Sequence, residues 1–174
     1  MPGVLKLEGT NIATGDGNGA VTLSSGINFP AGHIIQTQYY SAGFTFNTSS
    51  ASFVKVTGSP DFEKTITPLK ADSNIMIVVS SSVYSGSGYA YLDIYKNASD
   101  FTETNNLSGK TTGVTLSYVN AHWNCLHYTF IDTCSENSTS TKTYAPSIRT
   151  SGSNAYFGDS TNMLSTMVLM EIAT

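Results

Sequence analysis

Charge is what this sequence has least of. Only 11% of its 174 residues are Asp, Glu, Lys or Arg, against about 25% in an ordinary soluble domain. The eight Lys and Arg residues are scattered and the net charge is −4, so there is no basic stripe with which to neutralise phosphates and bind nucleic acid. No apolar run approaches the roughly 20 residues that span a bilayer; the densest stretch is Ile75-Met76-Ile77-Val78-Val79. The first residues, Met1-Pro2-Gly3-Val4-Leu5-Lys6-Leu7-Glu8, lack the basic and apolar regions of a signal peptide, and folding in a cytosol is the expectation. Cysteine is sparse as well. An unbroken strand would hold Cys125 and Cys134 about 30 Å apart, which predicts free, mostly buried thiols rather than a disulfide. Four Asn-X-Ser/Thr triplets are what so Ser- and Thr-rich a composition produces by itself.

The motifs of common chemistries are missing too. There is no Gly-X-Ser-X-Gly, no phosphate-cradling glycine loop and no dinucleotide fingerprint. His33, His122 and His127 have no zinc-site spacing with the cysteines, which leaves only a symmetric site on a threefold axis for a lone histidine. The acids are spread along the chain without a compelling pair. The stretch Asp16-Gly17-Asn18-Gly19-Ala20-Val21 looks like a calcium loop, but Ala20, Val21 and Ile27 stand where that loop needs an oxygen ligand, a glycine and a bidentate Glu. Asp-Gly and Asn-Gly read instead as a turn into a short strand. The expectation is a non-enzymatic protein with no metal and no cofactor.

What remains is hydroxyl, amide and β-former. Ser, Thr and Asn make up about a third of the chain, and Val, Ile, Thr, Tyr and Phe recur in short runs between Gly, Ser and Asn. Such a surface suits subunits of a large assembly, where charge is costly to bury; a neutral-surfaced β protein is the plainer alternative. Nine strands are expected, at 33–40, 52–57, 63–69, 74–80, 89–96, 113–120, 123–133, 142–149 and 163–173. They predict an all-β fold: an antiparallel two-sheet sandwich, jelly-roll-like, over residues 31–174. Residues 1–30, with short β-like pieces at 4–7 and 20–23, have too few apolar side chains for a core and read as an extended anchoring arm. The polar connections 97–112 and 135–141, anchored only by Phe101 and Leu107, are expected to project from the sandwich ends.

Alternation assigns the faces. Ala90, Leu92 and Ile94 should meet the core, leaving Tyr89, Tyr91, Asp93 and Tyr95 outward. The tyrosines form a stripe that water, another chain or a sugar can cover. Trp123 can stack on a sugar ring, or simply pack in a core or interface. Two strands are apolar on both faces. Ile75, Ile77 and Val79 oppose Met76 and Val78, and Met167 and Leu169 oppose Val168, Met170 and Ile172. A sandwich strand needs one apolar face; an uncovered second one is adhesive. No helix is expected to cover it, so an identical subunit is. The interface expectation therefore rests on Ile75, Met76, Ile77, Val78, Met167, Val168, Leu169 and Met170.

Three stretches also carry a family resemblance. Phe62-Glu63-Lys64-Thr65-Ile66-Thr67-Pro68-Leu69-Lys70-Ala71-Asp72-Ser73-Asn74-Ile75-Met76-Ile77 resembles a recurrent segment of small virion structural proteins of tailed phages, especially marine and cyanobacterial ones. Leu169-Met170-Glu171-Ile172-Ala173 resembles their last strand. The N-terminal pattern is similar to 15–23 followed by Phe29-Pro30-Ala31-Gly32-His33-Ile34-Ile35-Gln36. The resemblance implies a non-enzymatic β-sandwich that trimerises and attaches to a phage head or tail as a decoration, fibre or appendage. The protein would be made in the host cytoplasm and located in the virion. The alternative is a tail-associated receptor-binding module that recognises host surface carbohydrate through Tyr89, Tyr91, Tyr95 and Trp123.

Overall fold

The computed structural model describes residues 4–7, 10–15, 21–23, 30–58, 61–97, 106–110, 113, 115–118, 122–134 and 137–174. The chain divides into two compact units, Met1–Ala31 and Gly32–Thr174. The first is a three-stranded antiparallel sheet of β1 (Val4–Leu7), β2 (Thr10–Gly15) and β3 (Val21–Leu23). β2 lies between the two β-like pieces, 4–7 and 20–23, that the sequence pattern marks. The calcium-like stretch 16–20 lies outside the described residues, between the Gly15↔Val21 partners of β2 and β3.

The second unit holds β4 (Ile34–Ala42), β5 (Phe46–Thr48), β6 (Val54–Lys55), β7 (Lys64–Ile66), β8 (Asn74–Ser85), β9 (Tyr89–Lys96), β10 (Thr115–Tyr118), β11 (Trp123–Asp132), β12 (Lys142–Thr150), β13 (Ala155–Phe157) and β14 (Ser165–Ile172). One sheet runs β10-β9-β12 with β6 and β7 both on the far side of β12; the other has β4-β14-β8-β11 as its body, with the short pair β13 and β5 continuing from the end of β8. If β6 and β7 count as one interrupted strand and the β5/β13 pair is set aside, the eight main strands fall in the orders 1-8-3-6 and 2-7-4-5. That double Greek key is a jelly roll, the all-β sandwich that the strand pattern predicts.

The interruption between β6 and β7 has a local cause. Pro146 stands in the middle of β12 opposite Ile94, with β7 pairing 142–144 and β6 pairing 147–148. Its carbonyl accepts from the Val56 amide at 2.9 Å, so its backbone polar side faces that neighbour and not β9. The donor that proline lacks is thus missing where the neighbouring strand breaks.

The core lies between the sheets. It is built from Ile75, Ile77, Val79 and Val83 of β8, Met167 and Leu169 of β14, Ala90, Leu92 and Ile94 of β9, and Tyr144 and Ile148 of β12. Phe62, Phe44 and Phe157 close it with an aromatic cluster. Two buried carboxylates flank Ile75 on the same inner row, Glu171 from β14 and Asp132 from β11. Glu171 accepts the backbone N–H groups of Leu69 and Lys70, each at 2.9 Å, and the Gln36 amide at 2.6 Å. It thereby ties the β7–β8 connection to the end of the sandwich, and both acids are engaged internally.

Candidate functional site

Side chains on β8 alternate between buried and partly exposed from Asn74 to Ser80, and those on β14 do so along the whole strand. The two strands are hydrogen-bonded neighbours, with Val168 opposite Val78 and Met170 opposite Met76. Their second faces therefore coincide on one outer surface. Pairing extends the rows outward: Tyr39–Val168–Val78–Thr129, and beside it Thr37–Met170–Met76–Ile131. Tyr39 is 59% exposed and Ile131 50%, and Ile34 and Ile172 continue the apolar surface at its end. Among the described residues no other element of the sandwich pairs onto or packs over these rows.

The eight residues expected at an interface thus separate by parity. Ile75, Ile77, Met167 and Leu169 are wholly buried in the chain's own core and are not available to a partner. Met76, Val78, Val168 and Met170 are partly exposed on the outer face.

The expected tyrosine stripe is not one surface. On the outer side of β9 Tyr89 is 38% exposed, with its ring 6.1 Å from that of Tyr91. Tyr91 lies under the Arg149 guanidinium, 4.0 Å from its ring centroid, a cation–π contact. Tyr95 is 1% exposed, with Asn106 bridged to it and Phe53 against its ring. Trp123 belongs to β11 in the opposite sheet. The reason for the difference is the 97–112 connection, which does not simply project. At 106–110 it folds back onto β9: the Leu107 amide donates to the Ile94 carbonyl at 2.8 Å, and Leu107 packs against the core. Phe101, the other expected anchor, lies outside the described residues.

The same fold-back buries Asp93, whose carboxylate accepts from the Ser108 hydroxyl and the Ile94 amide. Burial raises its proton affinity, and hydrogen bonds from Ser108, Ile94 and Asn106 offset only part of the rise. The folded carboxyl therefore titrates above its unfolded value of about 3.9. Stability from this group is greatest below that value and falls as pH rises through the raised folded value, because charging the buried group opposes folding. Asp93→Asn should remove this loss. Compared with wild type, the variant's urea midpoint should improve between about pH 4 and pH 7; a pH-independent difference between the two would contradict the assignment.

At the other end of β8 the outer face turns aromatic. Tyr84 pairs with Trp123 on one side and Tyr156 on the other, and Asn47 lies beyond Tyr156. The rings converge in a triangle, with centroids 5.4 Å apart for Tyr84–Trp123, 5.4 Å for Tyr84–Tyr156 and 6.1 Å for Trp123–Tyr156. They line a cleft of about 340 Å³. Gly158, at φ +80°, holds the end of β13 here: its amide donates to the Ser82 carbonyl at 2.8 Å, and an added Cβ would strike the Phe44 carbonyl. Sequence reading picks out Trp123 but misses Tyr84 and Tyr156. The available signal is parity, since Tyr84 continues the outward series 76, 78, 80.

Cys134 is buried but Cys125 is exposed on the outer face of β11, contrary to the expectation of two mostly buried thiols; its odd position on that strand turns it outward with His127 and Trp123. His33, His122 and His127 are all exposed. Among the described residues no three His, Cys, Asp or Glu side chains converge as metal ligands would.

No family model and no curated protein matches this chain. Among solved structures it overlaps T=1 particles derived from infectious bursal virus, at 13% identity and a TM-score of 0.39, over 89% of this chain and 40% of that one. The infectious bursal disease virus VP2 subviral particle overlaps at 13% identity and 0.39, over 81% and 38%. The Gx strain of that virus overlaps at 14% identity and 0.36, over 100% and 43%. This chain thus spans about two fifths of those chains, and overlaps this loose do not bear on what it does.

Proposed function

We propose that this chain is a virion structural protein with no enzymatic role. In this reading the jelly roll forms a homotrimer through the apolar outer rows of β8 and β14. Residues 1–30 attach it to a phage head or tail, and the sandwich projects outward as a decoration or fibre-type module. The observation that carries the reading is the merging of Met76, Val78, Val168 and Met170 with Tyr39 and Ile131 into one outer patch. The scarcity of charge and the resemblance of 62–77 and 169–173 to phage virion proteins point the same way.

Magnitudes set what the patch must do. Burying a whole Val, Ile or Met side chain contributes about 1.5–3 kcal/mol, so six partly exposed ones contribute on the order of 5 kcal/mol. Association costs about 4–15 kcal/mol in lost freedom. The apolar rows alone sit near the lower bound, and hydrogen bonds from the rim of Thr37, Thr129 and Thr166 have to supply the rest. Light scattering at micromolar concentration should give three times the 18.5 kDa chain mass. Val78→Lys combined with Val168→Lys should give a folded monomer. Deleting residues 1–30 should abolish binding to empty capsids while leaving the trimer intact. A wild-type chain that stays monomeric sinks the reading.

A further inference from the structure

We propose that Tyr84, Trp123 and Tyr156 form a subsite for one neutral sugar ring. This goes beyond the structural role above and stands whether or not the chain trimerises. The three rings line a shallow, open depression of about 340 Å³, which offers a compact ligand one contact face and leaves its other face in water. All three lining residues are aromatic with a polar handle. Such rings offer a flat apolar face together with a hydroxyl or indole N–H at the edge. A pyranose has the matching pattern, a face of C–H bonds bordered by hydroxyls.

The surroundings favour a neutral ligand. None of the described lining residues is charged. Asn47, exposed and next to Tyr156 on the same face, carries an amide that can donate to one hydroxyl and accept from its neighbour. Because the rings converge in a triangle and do not form a line, the site holds one ring, not an extended chain. Trp123 remains 44% exposed, a large surface left in water at the position where stacking would use it.

A second copy of this chain is the competing occupant, and the sheet separates the two. The aliphatic rows are centred on Met76 and Val78, and Tyr84 stands six residues beyond Val78, about 20 Å along the strand. Between them lies the polar row of Thr166, Ser80 and His127. A copy seated on the aliphatic rows leaves the aromatic end open. A single-ring site binds in the millimolar range, and a trimer would raise its effective strength by avidity; only that gain depends on the oligomer.

Trp123 is the chain's one tryptophan, so its fluorescence reports on this cleft alone. The full chain is titrated with methyl glycosides of glucose, galactose, mannose, rhamnose and N-acetylglucosamine, and separately with tetramethylammonium chloride and a proline-rich peptide. At least one glycoside should give a saturable emission change with a millimolar Kd. Tyr156→Ala should weaken it about fivefold. Asn47→Ala, at an exposed position, should weaken it about threefold and covers the case in which the tyrosine variant fails to fold. Three results overturn the proposal: no glycoside saturates; only the cation or the peptide does; or the glycoside response is unchanged in the variants that fold. The chain's mass in light scattering is read separately, so failure here and failure of the trimer are distinguishable.

Discussion

Phe62→Ala is expected to lower the free energy of unfolding by about 4 kcal/mol, within the range of 3–5 for deleting a buried phenyl ring. Phe62 is not in a strand. It comes from the connection between β6 and β7 and is completely buried. Its ring meets Tyr40 edge-on at 5.3 Å, Phe44 at 5.1 Å and Phe157 at 5.7 Å. Those partners lie on β4, on the β4–β5 connection and on β13, so no single backbone shift can close the void left by the ring. Aromatic pairs add about 0.5–1.5 kcal/mol beyond burial, which places the loss in the upper part of the range. For a domain of this size the melting temperature should fall by roughly 8–16 °C, with Phe62→Leu recovering about half by partly refilling the site. A loss below about 1 kcal/mol would mean that the loop, not the ring, is what the sandwich needs.

Phe62 also marks the limit of what the sequence discloses. Alternation is local, and it assigns the inward-facing side chains correctly. Ala90, Leu92 and Ile94 point inward, and the opposed faces of Ile75–Val79 and Met167–Met170 have the orientations that their spacing implies. The jelly roll follows from nine such runs and their turns. Nothing in the spacing of 89–96, however, shows that a distant connection folds back over Asp93 and Tyr95 and removes them from solvent. β5 and β13, three residues each, are too short to alternate. Tyr156 therefore has no visible partner until pairing places it beside Tyr84. The apolar patch was half legible: each strand announces a second greasy face, but only the β8–β14 ladder shows that both point the same way.

The second large effect should come from the one buried acid that joins the two sheets. Asp132, on the inner face of β11, accepts from the Lys96 ammonium of β9 at 3.0 Å and the Tyr144 hydroxyl of β12 at 2.6 Å. It also accepts at 3.1 Å from the amide of Cys134, a residue itself held at positive φ. Burial first, and then the Asp132 carboxylate, push the Tyr144 phenol far above its ordinary range, so it remains a donor throughout the stable pH range. Asp132→Ala should cost about 3–5 kcal/mol, since breaking one side of a buried ionic cluster leaves desolvated groups without compensation. The net worth of the intact cluster is a separate quantity. Taking charges out of water consumes most of their attraction, so Lys96→Met with Asp132→Leu should cost much less than the two single changes summed, with a coupling of about 1–3 kcal/mol. Equilibrium unfolding of the four proteins closes the cycle. Additive losses would mean that Asp132 acts through Tyr144 and the Cys134 turn and not through the lysine, and that the sheets are joined by hydrogen bonds and not by charge.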